Sequence, residues 1–163
     1  MNELPVRKDI RLKGFDYSGS GFYFITICVK GRQELLGKVV VGAHPNVPIV
    51  ELTETGKMVE QHISRIPSFY ENVTIEKYIV MPNHIHMIVV IQHGTPGCAS
   101  PTKSVIARVV SAFKSLSSRQ YGKSLWQRSF HDHVIRGDAD YLHIWQYIDD
   151  NPARWTEDEY YVR

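Results

Sequence analysis

Residues 73–91 place the strongest constraint on the fold of this chain. Two runs rich in apolar and β-branched side chains, 73–81 and 84–91, are separated only by Pro82-Asn83. Runs of this length and composition read as strands, and a Pro-Asn step leaves room for nothing longer than a tight turn. The two strands therefore pair antiparallel. The second opens with His84-Ile85-His86. Side chains alternate faces along a strand, so both imidazoles project to the same side, one above the other. Neutral imidazoles so placed can serve one metal ion, although a His-x-His pair on an apolar strand is also compatible with plain core packing.

Other segments supply the partners of this hairpin. Residues 22–30 (Phe-Tyr-Phe-Ile-Thr-Ile-Cys-Val-Lys) follow Ser18-Gly19-Ser20-Gly21 and are apolar on both faces, which predicts a central strand. The stretch 38–52 reads as a small hairpin insertion around Gly42-Ala43-His44-Pro45-Asn46. Thr53 is placed to cap a helix whose stripe is Met58, Val59, His62, Ile63 and Ile66, with Pro67 as its stop. After a Gly/Pro/Ser-rich loop at 92–102, a second helix carries Val105, Ile106, Val109, Val110, Phe113 and Leu116 inward. Residues 130–136 form a fourth main strand, and Asp138 is predicted to cap a last helix over 139–151, ending before Pro152. The order strand, helix, strand, strand, helix, strand, helix is a split βαβ pattern. It predicts an α+β, ferredoxin-like antiparallel sheet with helices on one face plus a C-terminal helix.

With 163 residues, the chain fits a single domain over 1–163. No apolar stretch approaches the ~20 residues of a membrane span, and no signal-peptide block opens the sequence. Cys28 and Cys98 have no metal-type spacing and suggest no disulfide framework, so a reducing cytoplasm is the simplest reading. Charge is unevenly spread. Lys103, Arg108, Lys114, Arg119, Lys123, Arg128 and Arg136 face one acid, Asp132, whereas residues after 136 hold seven acids against Arg154 and Arg163. Such asymmetry fits a solvated helix face or a track for a polyanion.

On a wheel of ~100° per residue, the last helix sets Tyr147 amid His143, Gln146, Asp150 and Asn151. The same wheel assigns Tyr141, Leu142, Ile144, Trp145 and Ile148 to the opposite, core-facing arc, with Asp149 an exception on the apolar side. A phenol is a feasible covalent nucleophile but, with an ordinary pKa near 10, needs help at neutral pH. His143 and Asp150 are the groups nearby in sequence that can provide it.

Three blocks taken together resemble the single-tyrosine HUH transposases (histidine, bulky hydrophobe, histidine), and within them the REP-associated tyrosine transposases. The blocks are Tyr78-Ile79-Val80-Met81-Pro82-Asn83-His84-Ile85-His86, then residues 126–136, then Tyr147-Ile148-Asp149-Asp150-Asn151-Pro152. Their order and spacing match from about residue 21 to residue 155. The resemblance implies that His84 and His86 bind Mg²⁺ or Mn²⁺, with Asn151 as third ligand and Tyr147 as nucleophile. It also implies a supporting role for His133. The implied activity is nicking and rejoining of single-stranded DNA with hairpin ends, through a 5′-phosphotyrosine and a free 3′-hydroxyl.

Arg108, Lys114, Arg119, Lys123, Gln127 and Arg128 are candidates to follow the DNA backbone, while Trp126 is better read as core. Both monomer and homodimer occur among the proteins resembled. The main alternative is a domesticated relative that holds hairpin DNA without cutting it. An unrelated metalloenzyme would need a third strong ligand and would leave Tyr147 dispensable. An RNA-binding split βαβ module would show interleaved Gly-aromatic strands, which are lacking.

Overall fold

A computed structural model describes residues 21–43, 47–92 and 105–162. Its main sheet consists of β1 (Gly21–Cys28), β4 (Val73–Val80), β5 (His84–Ile91) and β6 (His131–Ile135), in the order β4-β5-β1-β6 with every neighbouring pair antiparallel. Among these four, the first strand lies between the third and fourth, which is the ferredoxin-like split βαβ arrangement predicted from the sequence. β2 (Gly37–Val41) and β3 (Pro48–Leu52) pair as a separate two-stranded sheet. Residues 93–104, which include Cys98, Lys103 and most of the loop expected at 92–102, lie outside the described residues, as do residues 44–46.

Alternation along β1 and β5 divides the apolar residues between two layers. Tyr23, Ile25 and Ile27 join Ile85, Met87, Val89 and Ile91 against α1 (Glu54–Phe69) and α2 (Val105–Tyr121), which contribute Val59, Ile63, Ile106, Val109 and Phe113. The opposite face is smaller. There Ile88 and Ile135 meet Ile144 and Ile148 of α3 (Gly137–Asp150), with Phe24, Ile79, Tyr141 and Trp145 packed around them. Two helices thus cover one face, and α3 covers the face that carries His84 and His86.

Several local details depart from the sequence reading. Thr53 does cap α1, accepting from the Gly56 N–H at 3.1 Å. Pro67 does not stop the helix: it sits exposed inside the last turn, and Ile66, buried beside it, carries α1 on to Phe69. In α2, Leu116 is 40% exposed and the inward position belongs to Ser117, whose hydroxyl accepts the Trp126 indole N–H at 2.8 Å. α3 starts at Gly137 rather than behind an Asp138 cap, and Asp140 instead accepts from the Arg136 N–H at 2.9 Å.

β4 contains a register shift between Ile75 and Lys77. That bulge moves Lys77 and Ile79 onto the α3 face. Lys77 there pairs with Asp149 at 2.7 Å and lies 4.1 Å from the Trp145 ring centre. Asp149, the odd acid on the apolar side of the wheel, is thereby accounted for.

Gly56 is required by close packing. The first turn of α1 runs against Leu36, whose carbonyl accepts from the Thr53 N–H at 3.0 Å, and a Cβ on residue 56 would collide with that same carbonyl oxygen. Gly56→Ala is expected to lower the free energy of unfolding by about 3 kcal/mol, the upper range for overpacking, as read by urea denaturation. An unchanged midpoint would show that α1 can shift away from Leu36.

Candidate functional site

Register places the histidines. Cys28 pairs with His84 and Thr26 with His86 across β1 and β5, while Thr26 pairs with His131 on its other side. His84 and His86 are 0% and 1% exposed. Their Nε2 atoms converge to 3.0 Å, and their Nδ1 atoms are held from behind. The Thr26 hydroxyl lies 2.7 Å from His86 Nδ1, and Asn83 Oδ1 lies 2.8 Å from His84 Nδ1. Asn83 Nδ2 donates to the carbonyls of Tyr160 at 2.7 Å and Arg32 at 3.2 Å. Its oxygen is therefore the atom facing His84, whose Nδ1–H donates to it and whose Nε2 keeps a lone pair.

Burial keeps both rings neutral. It drives the His84 pKa down to about 3, with the Arg32 charge adding to the effect and the Asn151 side chain opposing it. His86 is held well below its ordinary value, first by burial and then by His84. Cys28, on the same face, has its thiol pushed up to about 11 by burial and so stays a neutral thiol rather than a ligating thiolate.

α3 delivers the next residues, but not as the wheel arranged them. Ile144, Ile148 and Asn151 all point at the sheet, and Tyr147 flanks them rather than facing away. At ~100° per residue Ile144 and Ile148 stand only about 60° and 100° from Tyr147, so a helix that turns them to the sheet carries Tyr147 to its edge. The half-buried Tyr147 ring lies 5.3 Å from the His86 ring and 5.9 Å, edge-on, from Phe24. Burial and the negative Asp158 push its phenol up to about 12, against a lowering influence of Asn151. Asn151 is 3% exposed, and its Oδ1 has no hydrogen-bond partner among the described residues.

The chain after α3 folds back over the histidines. Tyr160 lies 4.6 Å and Trp155 5.9 Å from the His84 ring. Arg32 sits 5.6 Å from the Tyr160 ring centre, and its Nη1 donates to the Glu159 carbonyl at 3.0 Å. This fold-back brings in a residue that the sequence reading did not select. One ligand atom each from His84, His86 and Asp158 lie within 4.8 Å of one another. No periodicity marks Asp158, because it follows Pro152 in irregular chain; the acidic run Glu157-Asp158-Glu159 is the only hint. A cavity of about 510 Å³ opens beside Tyr147 and Asn151 and is lined by His143, Asp150 and these three acids.

A profile of the family described as "Transposase IS200 like" matches residues 23–151, which include every histidine and helix residue of this site. The chain belongs to the IS200-like transposase family. It is also 34% identical over 174 residues to an uncharacterised protein of Haemophilus influenzae, covering 96% of this chain and 93% of that one. Among solved structures, the fold matches that of a REP-associated tyrosine transposase bound to a REP hairpin. The TM-score is 0.65 at 22% identity, over 89% of this chain and 73% of the other.

The remaining residues singled out from sequence are scattered around this family member. His133 donates to or accepts from nothing in the histidine pair: its Nε2 meets Asp140 at 2.8 Å, tying β6 to the start of α3. His131, not His133, occupies the row of Thr26 and His86, with its ring 6.4 Å from Tyr160. A shallow hollow of about 600 Å³ gathers Lys114, Arg119, Lys123, Gln127 and Arg128 but not Arg108. Lys114 is not a free surface cation, for its Nζ donates to the carbonyls of Gln127 and Ser129, each at 2.8 Å. Trp126 is 4% exposed, as a core residue should be. No described helix is long and apolar enough to cross a membrane.

The two buried imidazoles make stability pH-dependent in the metal-free protein. Unfolded histidine binds a proton below about pH 6.5, whereas these folded rings do not. Their contribution is complete above that pH and is lost as pH falls toward the folded values. Between pH 7 and 5.5 the protein should lose about 1 kcal/mol per histidine, read by urea unfolding at each pH. A profile that stays flat over that interval would contradict the neutral, buried assignment.

Proposed function

We propose that this chain is a single-stranded DNA transposase and endonuclease that uses Tyr147 as its nucleophile. The observation that carries this reading is the contact of the Tyr147 ring with His86, one of two neutral imidazoles whose Nε2 atoms converge. The site fits a divalent cation. Two ligands at right angles on an ion with bonds of ~2.1 Å stand about 3.0 Å apart, which is the separation of the two Nε2 atoms. The orphaned Asn151 Oδ1 supplies a buried oxygen beside them.

His84, His86 and Asn151 would hold Mg²⁺ or Mn²⁺. When bound there, the ion would supply Lewis-acid polarisation of the scissile phosphate. The Tyr147 oxygen attacks phosphorus in line. A Tyr147 Oη–P bond forms, the P–O3′ bond breaks, and the proton lost by the phenol is balanced by the one the 3′-oxygen gains. Asp150 and His143 are among the groups that line the cavity beside Tyr147 and are candidates to take that proton. Attack of the 3′-hydroxyl on the phosphotyrosine reverses the step and rejoins DNA without ATP.

Substrate and access follow from the same geometry. A hairpin-ended single strand is the substrate class, by analogy with the hairpin on the structural relative. Arg119, Lys123, Gln127 and Arg128, which line one hollow, would contact its backbone. With the histidines 0% and 1% exposed and Trp155 and Tyr160 lying against the His84 ring, a phosphate would have to displace these covering side chains to reach them.

The test uses end-labelled single strands from the flanks of the protein's own gene, incubated with Mn²⁺ or Mg²⁺ and resolved on denaturing gels. Wild type should form a protein–DNA adduct, and Tyr147→Phe should lose it by about 10³-fold or more. Cleavage that persists in Tyr147→Phe would rule out the covalent route. Hairpin binding with no adduct in wild type would instead identify a domesticated, non-cutting relative.

A further inference from the structure

The donor set proposed above has a shortage of charge. His84 and His86 are neutral, and Asn151 is an amide, so no anion among them offsets a divalent cation. All three are almost wholly buried, at 0%, 1% and 3% exposure. An uncompensated charge in such surroundings is heavily penalised. Hard cations that prefer oxygen, moreover, gain most of their protein affinity from carboxylates.

Asp158 is the carboxylate that the fold brings to this point. Its oxygen and the two imidazole nitrogens lie within 4.8 Å of one another. That is close to the ~4.2 Å span of opposite ligands on one ion with bonds of ~2.1 Å. The position of Asp158 is fixed from both sides. Its N–H donates to the Trp155 carbonyl at 3.1 Å, and its Oδ1 accepts from the Tyr160 N–H at 2.7 Å. The next two residues are tethered to the loops at the ends of β1 and β4: the Glu159 carbonyl by Arg32 and the Tyr160 carbonyl by Asn83. Asn83 is also the residue that orients His84. The same amide therefore registers one imidazole and the segment that carries the carboxylate.

We infer that Asp158 is the anionic ligand of the cation held by His84, His86 and Asn151 in the DNA-free protein. The inference rests on the metal site of the proposed function and deepens it. Asp158 belongs to the segment whose Trp155 and Tyr160 lie against His84, so a phosphate that displaced this segment would bring its own negative charge in place of the carboxylate.

Mn²⁺ binding to the full-length protein without DNA tests this, by electron paramagnetic resonance of free Mn²⁺ and by calorimetry. Asp158→Asn keeps an oxygen for the Tyr160 N–H and should weaken Mn²⁺ binding about tenfold or more. Glu159→Gln removes a neighbouring charge and should change it less than about threefold. Asp158→Ser, which also keeps an acceptor, repeats the comparison should the asparagine variant fail to fold. Equal losses in Asp158→Asn and Glu159→Gln, or a wild-type Kd in Asp158→Asn, would overturn the assignment. His86→Ala separates the two readings. If it abolishes Mn²⁺ binding while Asp158→Asn does not weaken it, the metal site stands and Asp158 is not a ligand. If wild type itself binds no Mn²⁺, the metal-dependent function falls and this inference with it.

Discussion

The pairing register of β1 with β5 is the constraint on which the rest of the site depends. It sets Thr26 beside His86 and Cys28 beside His84, and it turns both imidazoles to the face that α3 covers. A slip of one residue would send every side chain of β5 to the opposite face and place the histidines among Val59, Ile63 and Phe113. The register is secured by apolar burial on both sides. Ile85, Met87, Val89 and Ile91 fill the large core, and Ile88 anchors the small one. The site inherits its precision from these ordinary packing contacts, since Ile144 and Ile148 dock α3 on Ile88 and so bring Tyr147 and Asn151 to the imidazoles.

Much of this was legible from sequence because it rests on short-range periodicity. The β4–β5 hairpin, the central β1, the Thr53 cap and the order of elements all follow from alternation, turn residues and capping chemistry. What escaped depends on tertiary packing. The bulge between Ile75 and Lys77 changes the phase of β4 with no mark in composition. Pro67 stays in its helix because it occupies an exposed position next to a buried Ile66. Lys114 reads as a surface cation in sequence, but the chain at 127–129 brings the Gln127 and Ser129 carbonyls to its Nζ. Asp158 belongs to chain with no repeating pattern, so only the fold-back over His84 gives it a place.

Burial acts on the site in two opposed ways. It keeps His84 and His86 neutral, with their Nε2 atoms converging to 3.0 Å. It also holds Tyr147 protonated, pushed up to about 12, with Asp158 reinforcing the shift. The environment that prepares the imidazoles to receive a cation thus quietens the phenol in the absence of one. A nearby positive charge would draw the phenol's pKa down while keeping the imidazoles neutral, which gives a physical reason for placing the phenol against the histidines.

Asn83 shows how little freedom such an arrangement leaves. Its two amide hydrogens are committed to peptide oxygens from residues 32 and 160, and its own oxygen faces the His84 N–H. The two ends of the amide cannot be exchanged without setting oxygen against oxygen twice. Aspartate, which matches asparagine in shape, would do just that at residue 83. The location of one proton on His84 is thus dictated by backbone groups drawn from distant parts of the chain.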